Sequence, residues 1–123
     1  MSRSNDPRFR ARLALDHRIE LLSLFSYIKK FNDQVVLRFH DDGLKIQVAD
    51  PAHVAMLNVT ISRDFFISLV AHGEIGINTE YFYKIIAILE GEIQFDYDAA
   101  TAKLRISNNN TVFEMICFEL DSE

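Results

Sequence analysis

The spacing of apolar residues changes along this 123-residue chain in an order that occurs twice. In residues 8–15 apolar and polar residues alternate, as in a half-buried strand, and in residues 19–28 apolar residues recur at helical spacing. Three further strand-like stretches follow. From residue 74 the same order returns, although the two halves share no residue-level repeat. The pattern predicts an α+β fold, β-α-β-β-β repeated twice, with two helices on one face of antiparallel sheets.

Composition favours one ordered domain. With 49% hydrophobic and 25% charged residues, the chain can bury a core, and residues 9–123 are predicted to form a single domain. Residues 1–8 are polar and basic and are predicted to be a flexible leader. They contain no apolar segment that could serve as a signal peptide or membrane anchor. Cys117 is the single cysteine, so no internal disulfide can form. It also lies in an apolar run, and together these observations favour a reducing compartment.

The element boundaries follow from capping and turn residues. Asp16 is placed as the N-cap of the first helix, which is predicted to run to about Phe31 with Lys29 and Lys30 in its last turn. Residues 63–72 fit a helical turn and a strand equally well and stay unassigned. The other predicted strands are 35–39, 44–49, 55–62, 74–77, 92–97, 103–107 and 111–120, and the second predicted helix is 79–89.

No arrangement of residues indicates catalysis. The lone cysteine has no basic neighbour in sequence, and the acidic pairs at 41–42 and 96–98 lie where turns need polar residues. The histidines are scattered without metal-ligand spacing; they are His17, His40, His53 and His72. We therefore predict no enzymatic activity, no metal site and no cofactor.

Three stretches together suggest a family. From Leu37 the chain reads LRFHDDGLKIQVADPAHVAMLNVTIS, which contains a strand, an acidic-Gly-Leu turn, a second strand and a D-x-x-x-V corner. Gly76-Ile77-Asn78 precedes a helix that contains Lys84, and residues 113–121 form a final apolar strand. In this order and spacing, residues 9–121 resemble the first domain of the PCNA-type (proliferating cell nuclear antigen) DNA sliding clamps.

The resemblance implies a ring whose helices face double-stranded DNA. Contacts should be weak and non-specific, since a sliding protein needs loose phosphate contact and the formal net charge here is −5. These charges are equally consistent with ordinary solvated side chains. The implied DNA-facing residues are Arg18, Lys29, Lys30 and Lys84.

The resemblance also implies that subunits pair through strand edges. The family's chains carry two such domains, so a ring made from this chain alone would need six copies arranged head to tail. An alternative is that the last strand is interior and covered on both faces. The implied interface residues are Leu57, Val59, Ile61, Val112, Phe113, Met115, Ile116 and Phe118.

A third implied surface is a pocket that binds short peptides of DNA polymerase and other clamp-binding proteins. The alternative is that Asp50-Pro51 is only a turn and that Val54 and Met56 belong to the core. The implied pocket residues are Ala49, His53, Val54 and Met56.

Two functions remain open from the sequence. One is a processivity factor that encircles DNA and tethers replication and repair enzymes. The other is a single-domain interaction module that binds a full-length clamp or its clients without encircling DNA. Both place the chain inside the cell, in the cytoplasm of an archaeon or the nucleus of a eukaryote, with a viral origin also open, and neither involves a membrane.

Overall fold

The computed structural model describes residues 7–118 of the chain. Within this range lie eight strands and two α-helices, and the predicted α+β class and order of elements are confirmed. In chain order these are β1 (Arg8–Leu13), α1 (Leu15–Ile28), β2 (Gln34–His40), β3 (Gly43–Ala49), β4 (Met56–Ser62), β5 (Ser68–Asn78), α2 (Thr79–Ile88), β6 (Ile93–Asp98), β7 (Lys103–Ser107) and β8 (Val112–Ile116). Residues 1–6 of the predicted leader and residues 119–120 of the predicted last strand lie outside the described residues.

The strands form an antiparallel sheet in the order β4-β3-β2-β5-β1-β6-β7-β8. β5 belongs to both halves, because residues 68–72 pair with β1 and residues 73–78 pair with β2. Gly73, with φ of 101°, lies where the partner changes, and a Cβ there would be 2.9 Å from the Cα of Pro7. Glycine is therefore required at this position. Among the described strands, β4 and β8 are the two edges of the sheet.

Alternation decides which face of the sheet is buried. In β1, residues 9, 11 and 13 are buried and the arginines between them are exposed. The same period of two recurs in β2 and β7, so one face packs on the core and the other faces solvent. Residues 63–72, which the sequence left unassigned, form a 3-10 turn at Arg63–Phe65 and then the start of β5.

Two predictions about α1 were wrong. The N-cap is Ala14, not Asp16, because the Arg18 backbone N–H already donates to the Ala14 carbonyl at 2.8 Å and the helix begins at Leu15. The helix ends at Ile28, so Lys29 is the C-cap and Lys30 lies beyond it. Tight bonds of the type that close a 3-10 turn follow, and these end the α-helix.

α2 is fixed at its start by two polar contacts. The Asn78 side chain caps the helix by accepting from the Tyr81 backbone N–H at 2.9 Å. The hydroxyl of Thr79, which is fully buried, donates to the Asn32 carbonyl at 2.7 Å and joins the helix to the segment before β2. Neither α1 nor α2, the two α-helices within residues 7–118, is long and apolar enough to cross a bilayer.

A row of phenylalanine rings runs through the core and joins both helices to both halves of the sheet. Phe25 of α1 packs on Phe82 of α2 with ring centroids 4.6 Å apart, and Phe82 lies 5.9 Å from Phe95 of β6. Phe95 is 5.4 Å from Phe9 of β1, which stacks on Phe39 of β2 at 4.2 Å. All five side chains are buried. The contacts between their rings stabilise the fold in addition to the burial of apolar area.

Truncation in the middle of this row should be costly. We expect Phe82→Ala to lower the free energy of unfolding by about 3–5 kcal/mol, because it removes a buried ring between α1 and β6 and leaves a cavity. Urea denaturation measures the change. Tyr27→Ala, at an exposed ring of α1, is the control and should cost about 0.5 kcal/mol or less. Equal losses in the two variants would contradict this view of the core.

Candidate functional site

Each lysine predicted to face DNA lies over a tyrosine ring. Such an arrangement attracts the ammonium to the ring face and holds a long side chain close to the helix surface. The distances from Nζ to the ring centroid are 4.5 Å for Lys29 and Tyr83, 5.8 Å for Lys30 and Tyr27, and 5.6 Å for Lys84 and Tyr81. Lys29 and Lys30 follow the last residue of α1 and Lys84 lies on α2; we name the outer surface of α1, α2 and the turn after α1 the helical face.

Arg18 has a different environment from the lysines. Its side chain is half-buried, and one guanidinium nitrogen donates to the Ile86 carbonyl of α2 at 2.7 Å. This bond joins α1 to α2 and gives Arg18 a structural role. Its assignment to DNA contact stays a prediction.

Acidic residues balance the helical face. Lys84 forms an ion pair with Glu80 at 3.8 Å, and Asp16 and Glu20 are exposed on α1. With Glu90 just after α2, four acidic residues accompany the four predicted cations. Among these eight residues the opposite charges are therefore equal in number.

The D-x-x-x-V corner is a loop held by one carboxylate. Asp50 accepts backbone N–H bonds from Ala52 at 3.1 Å, from Val54 at 2.9 Å and from Ala55 at 2.6 Å. The bond from Ala55 is the main cause that lowers the pKa of Asp50 below its ordinary value. His53 within the loop has a left-handed backbone with φ of 58°. Asp50 thus fixes the path of the loop.

The loop exposes the predicted peptide-binding residues. Val54 is 87% exposed and Met56 is 57% exposed, so the alternative that they belong to the core is wrong. Ala49 and His53 line a cavity of about 350 Å³ that Phe118 also lines. Val54 and Met56 lie outside that cavity. The structure therefore brings two of the four predicted residues together and leaves the other two projecting beside them.

The predicted interface strands are the two edges of the sheet. Met115 of β8 is buried and Phe113 is half-buried, whereas Ile116 is 72% exposed and Val112 is 59% exposed. The alternative that this strand is covered on both faces is wrong. In β4, Ile61 is buried and the two other predicted residues, Leu57 and Val59, are half-buried. Pairing of these edges with another subunit stays a prediction.

An apolar groove of about 620 Å³ lies between β8 and α2. The sequence prediction had included Phe113, Met115 and Ile116 of β8 but had missed the helix side. It had also included Phe118, which lies beyond β8 and whose backbone N–H donates to the Gly76 carbonyl at 2.8 Å. The missed residues are Tyr81, Ile85 and Ile88. Their spacing of four and three residues is a signal that could have found them, since it places them along one side of α2. The exposed edge of β8 is thus part of a wider apolar surface.

The aspartates of the second acidic pair, Asp96 and Asp98, have structural partners. Asp96 pairs with Arg10 at 3.5 Å, and the Asp98 carboxylate accepts bonds from the turn that follows β6. Residues 7–118 contain no cluster of three or more potential metal ligands. Burial raises the pKa of the Cys117 thiol to about 11, so this thiol is protonated at neutral pH.

Comparison with known proteins gives the fold. The structure superposes on PCNA from Thermococcus kodakaraensis with a TM-score of 0.78, covering 94% of this chain and 48% of that one at 18% identity. The chain has the sliding-clamp fold. The Helicobacter pylori beta clamp gives a TM-score of 0.72 at 19% identity, over 89% of this chain and 30% of that chain.

Sequence relatives point to the PCNA-type clamps, which the chain resembles as predicted. It is 29% identical over 93 residues to the DNA polymerase sliding clamp of Natronomonas pharaonis, covering 73% of this chain and 38% of the relative. It is 26% identical over 92 residues to DNA polymerase sliding clamp 1 of Sulfolobus acidocaldarius, covering 72% and 37%. The chain spans less than two fifths of these relatives' length. No protein-family model matches the sequence.

The loop should respond to acid through Asp50. Because its folded-state pKa is lowered, its support of the loop is complete above the ordinary aspartate range and is lost as pH falls through the lowered pKa. We expect the Ala55 amide resonance in NMR spectra to shift with a midpoint below that range. Asp50→Asn should remove the transition. A midpoint at or above the ordinary aspartate range of about 4 would contradict this role.

Proposed function

We propose that this chain is a ring subunit of a DNA sliding clamp, which encircles duplex DNA and tethers replication and repair enzymes to it. The observation that carries the proposal is that β4 and β8 lie at the two ends of the sheet formed by residues 7–118, each with one side unpaired within these residues. An unpaired edge offers backbone N–H and C=O groups to another strand, and two unlike edges allow head-to-tail assembly. The fold shared with PCNA supports it.

The assembly proposed is a closed ring of clamp domains. If this chain is the only component, the six domains of a PCNA-type ring would come from six copies. Heterologous contacts close into a ring only when the rotation between neighbours is correct. The apolar groove beside β8 supplies the area that a stable contact needs beyond backbone hydrogen bonds.

In this assembly the helical face lines the hole of the ring and faces the DNA. Lys29, Lys30 and Lys84 would touch phosphate groups without reading bases, because phosphate contacts carry no sequence information and all three side chains are exposed or half-exposed. The balancing acidic residues keep this contact weak. Arg18 would act mainly by holding the two helices together.

The loop at Asp50 is proposed to hold the polymerase and other client proteins. Val54 and Met56 offer exposed apolar side chains next to the cavity that Ala49 and His53 line. Methionine suits a surface that must accept several partners, since its side chain adapts its shape. The role proposed is tethering, with no catalysis and no cofactor, inside the cell.

A second candidate function is favoured by the charge of the helical face. Four acidic residues match the four predicted cations there, and the whole chain carries a net charge of −5. A module that binds a full-length clamp, or its clients, through the β8 edge would need no DNA attraction. The oligomeric state separates the two functions.

The molar mass from light scattering across a concentration series, measured for the unsubstituted chain and for the Phe113→Asp variant, tests the ring. We expect a hexamer, or a mass that rises toward one with concentration, and at least a tenfold weaker association in Phe113→Asp, because a charge would enter the apolar edge of β8.

Val70→Asp is the matched control, because Val70 is an exposed valine on the interior strand β5. It should leave the mass unchanged. A monomer at all concentrations, unaffected by Phe113→Asp, would contradict the ring and favour the interaction module.

A further inference from the structure

On β3, one strand in from the β4 edge, lies a cation, Lys45, that no acidic side chain within residues 7–118 neutralises. On the exposed face, Lys45 of β3 lies opposite Arg38 of β2 on one side and Thr60 of β4 on the other. Arg38 has its own partner, Glu74, at 2.9 Å. Lys45 is exposed and has no acidic partner within residues 7–118. Since like charges directly opposite each other are unfavourable, this row favours an anion beyond Thr60.

The β8 edge carries a complementary anion. Across the exposed face of the other half of the sheet, the row Arg10, Asp96, Arg105 and Glu114 alternates in charge and ends at the edge with Glu114. Both bonds from the Arg105 guanidinium reach the same oxygen, Oε2 of Glu114, at 2.9 and 3.3 Å. Arg105 does not bind the other carboxylate oxygen, Oε1, so this oxygen can accept a bond from a cation of a neighbouring copy.

The direction of the strands allows these edges to meet. Seven antiparallel steps separate β4 from β8, so the two strands run in opposite directions. A second copy added edge to edge in the same orientation therefore places its β4 antiparallel to β8. The exposed faces of both copies are then continuous, and so are the buried faces.

The charges select one register among those that keep the faces aligned. With Thr60 opposite Glu114 of the neighbouring copy, all five residues of β8 have a partner in β4. Lys45 then lies in the same row as that glutamate. Two strand spacings, about 10 Å, separate their backbones, a gap that the four-carbon stem of lysine and the glutamate side chain can span together. The remaining pairs are Ser62–Val112, Ile61–Phe113, Val59–Met115 and Asn58–Ile116.

We propose that, where β4 of one copy meets β8 of the next in the proposed ring, Lys45 selects this register by binding Glu114 of the neighbour over Thr60. The inference rests on the proposed ring assembly and adds the residues that determine its specificity. On the buried side, the same register places Val59 and Ile61 against Met115 and Phe113, beside the apolar groove.

Disulfide cross-linking between two differently tagged chains tests the register. One chain carries Ile116→Cys, and the other carries Asn58→Cys, Met56→Cys or Thr60→Cys; all four positions are exposed. We expect the Asn58→Cys partner to cross-link about tenfold faster than the other two, because only directly opposite residues come within disulfide distance. Chains without an introduced cysteine provide the blank for native Cys117.

The ion pair is tested in the same cross-linking assay. Lys45→Glu should slow the Asn58–Ile116 cross-link about fivefold or more, and Glu114→Lys in the Ile116→Cys chain should restore part of the rate. Arg8→Glu is the matched control, since it makes the same change of charge on the interior strand β1. Equal effects of Lys45→Glu and Arg8→Glu would overturn the role of Lys45.

The outcomes separate the register from the ring itself. Faster cross-linking through Met56→Cys or Thr60→Cys would overturn the register and keep β4–β8 assembly. No cross-link at any of the three positions would also overturn the proposal. In that case, an oligomer that still dissociates with Phe113→Asp would show that β8 assembles through another partner strand, whereas a monomer would remove the proposed ring as well.

Discussion

The row of five buried phenylalanines is the constraint on which the other features of this domain depend. It connects α1, α2, β6, β1 and β2, so it fixes the helices against both halves of a sheet in which β5 changes its partner strand at Gly73. Because the same rings hold both halves, the edges β4 and β8 keep a fixed relation to each other. Head-to-tail assembly needs this fixed relation, since a flexible angle between edges would give open chains in place of closed rings.

The sequence predicts the order of the helices and strands because the spacing of apolar residues, which distinguishes a helix from a strand, involves only residues a few positions apart. It does not predict contacts that depend on distant residues. Asp16 looked like a helix cap, yet the chain leaving β1 begins the helix at Leu15. As an apolar residue Val54 could have belonged to the core, but it lies exposed in a loop whose path the Asp50 carboxylate fixes.

Three surfaces of the domain differ in how strongly the geometry supports a function. The strand edges have the most support, because their position, apolar face and end charges all agree with pairing. The loop at Asp50 has a fixed path and exposed apolar side chains, but Ala49 and His53 share a cavity that Val54 and Met56 do not line. The helical face has the least, because its charges balance. A clamp that holds DNA by enclosing it needs strong contacts between subunits and only weak contacts with the duplex.

Electron microscopy of the purified protein tests the central claim, that the two edges of one domain join to close a ring. If six copies form the ring, we expect closed particles with a central hole and sixfold symmetry. Open arcs of variable length would show that the edges pair with the wrong rotation. Compact particles without a hole, at concentrations where the protein is oligomeric, would contradict the claim that β4 and β8 close a ring.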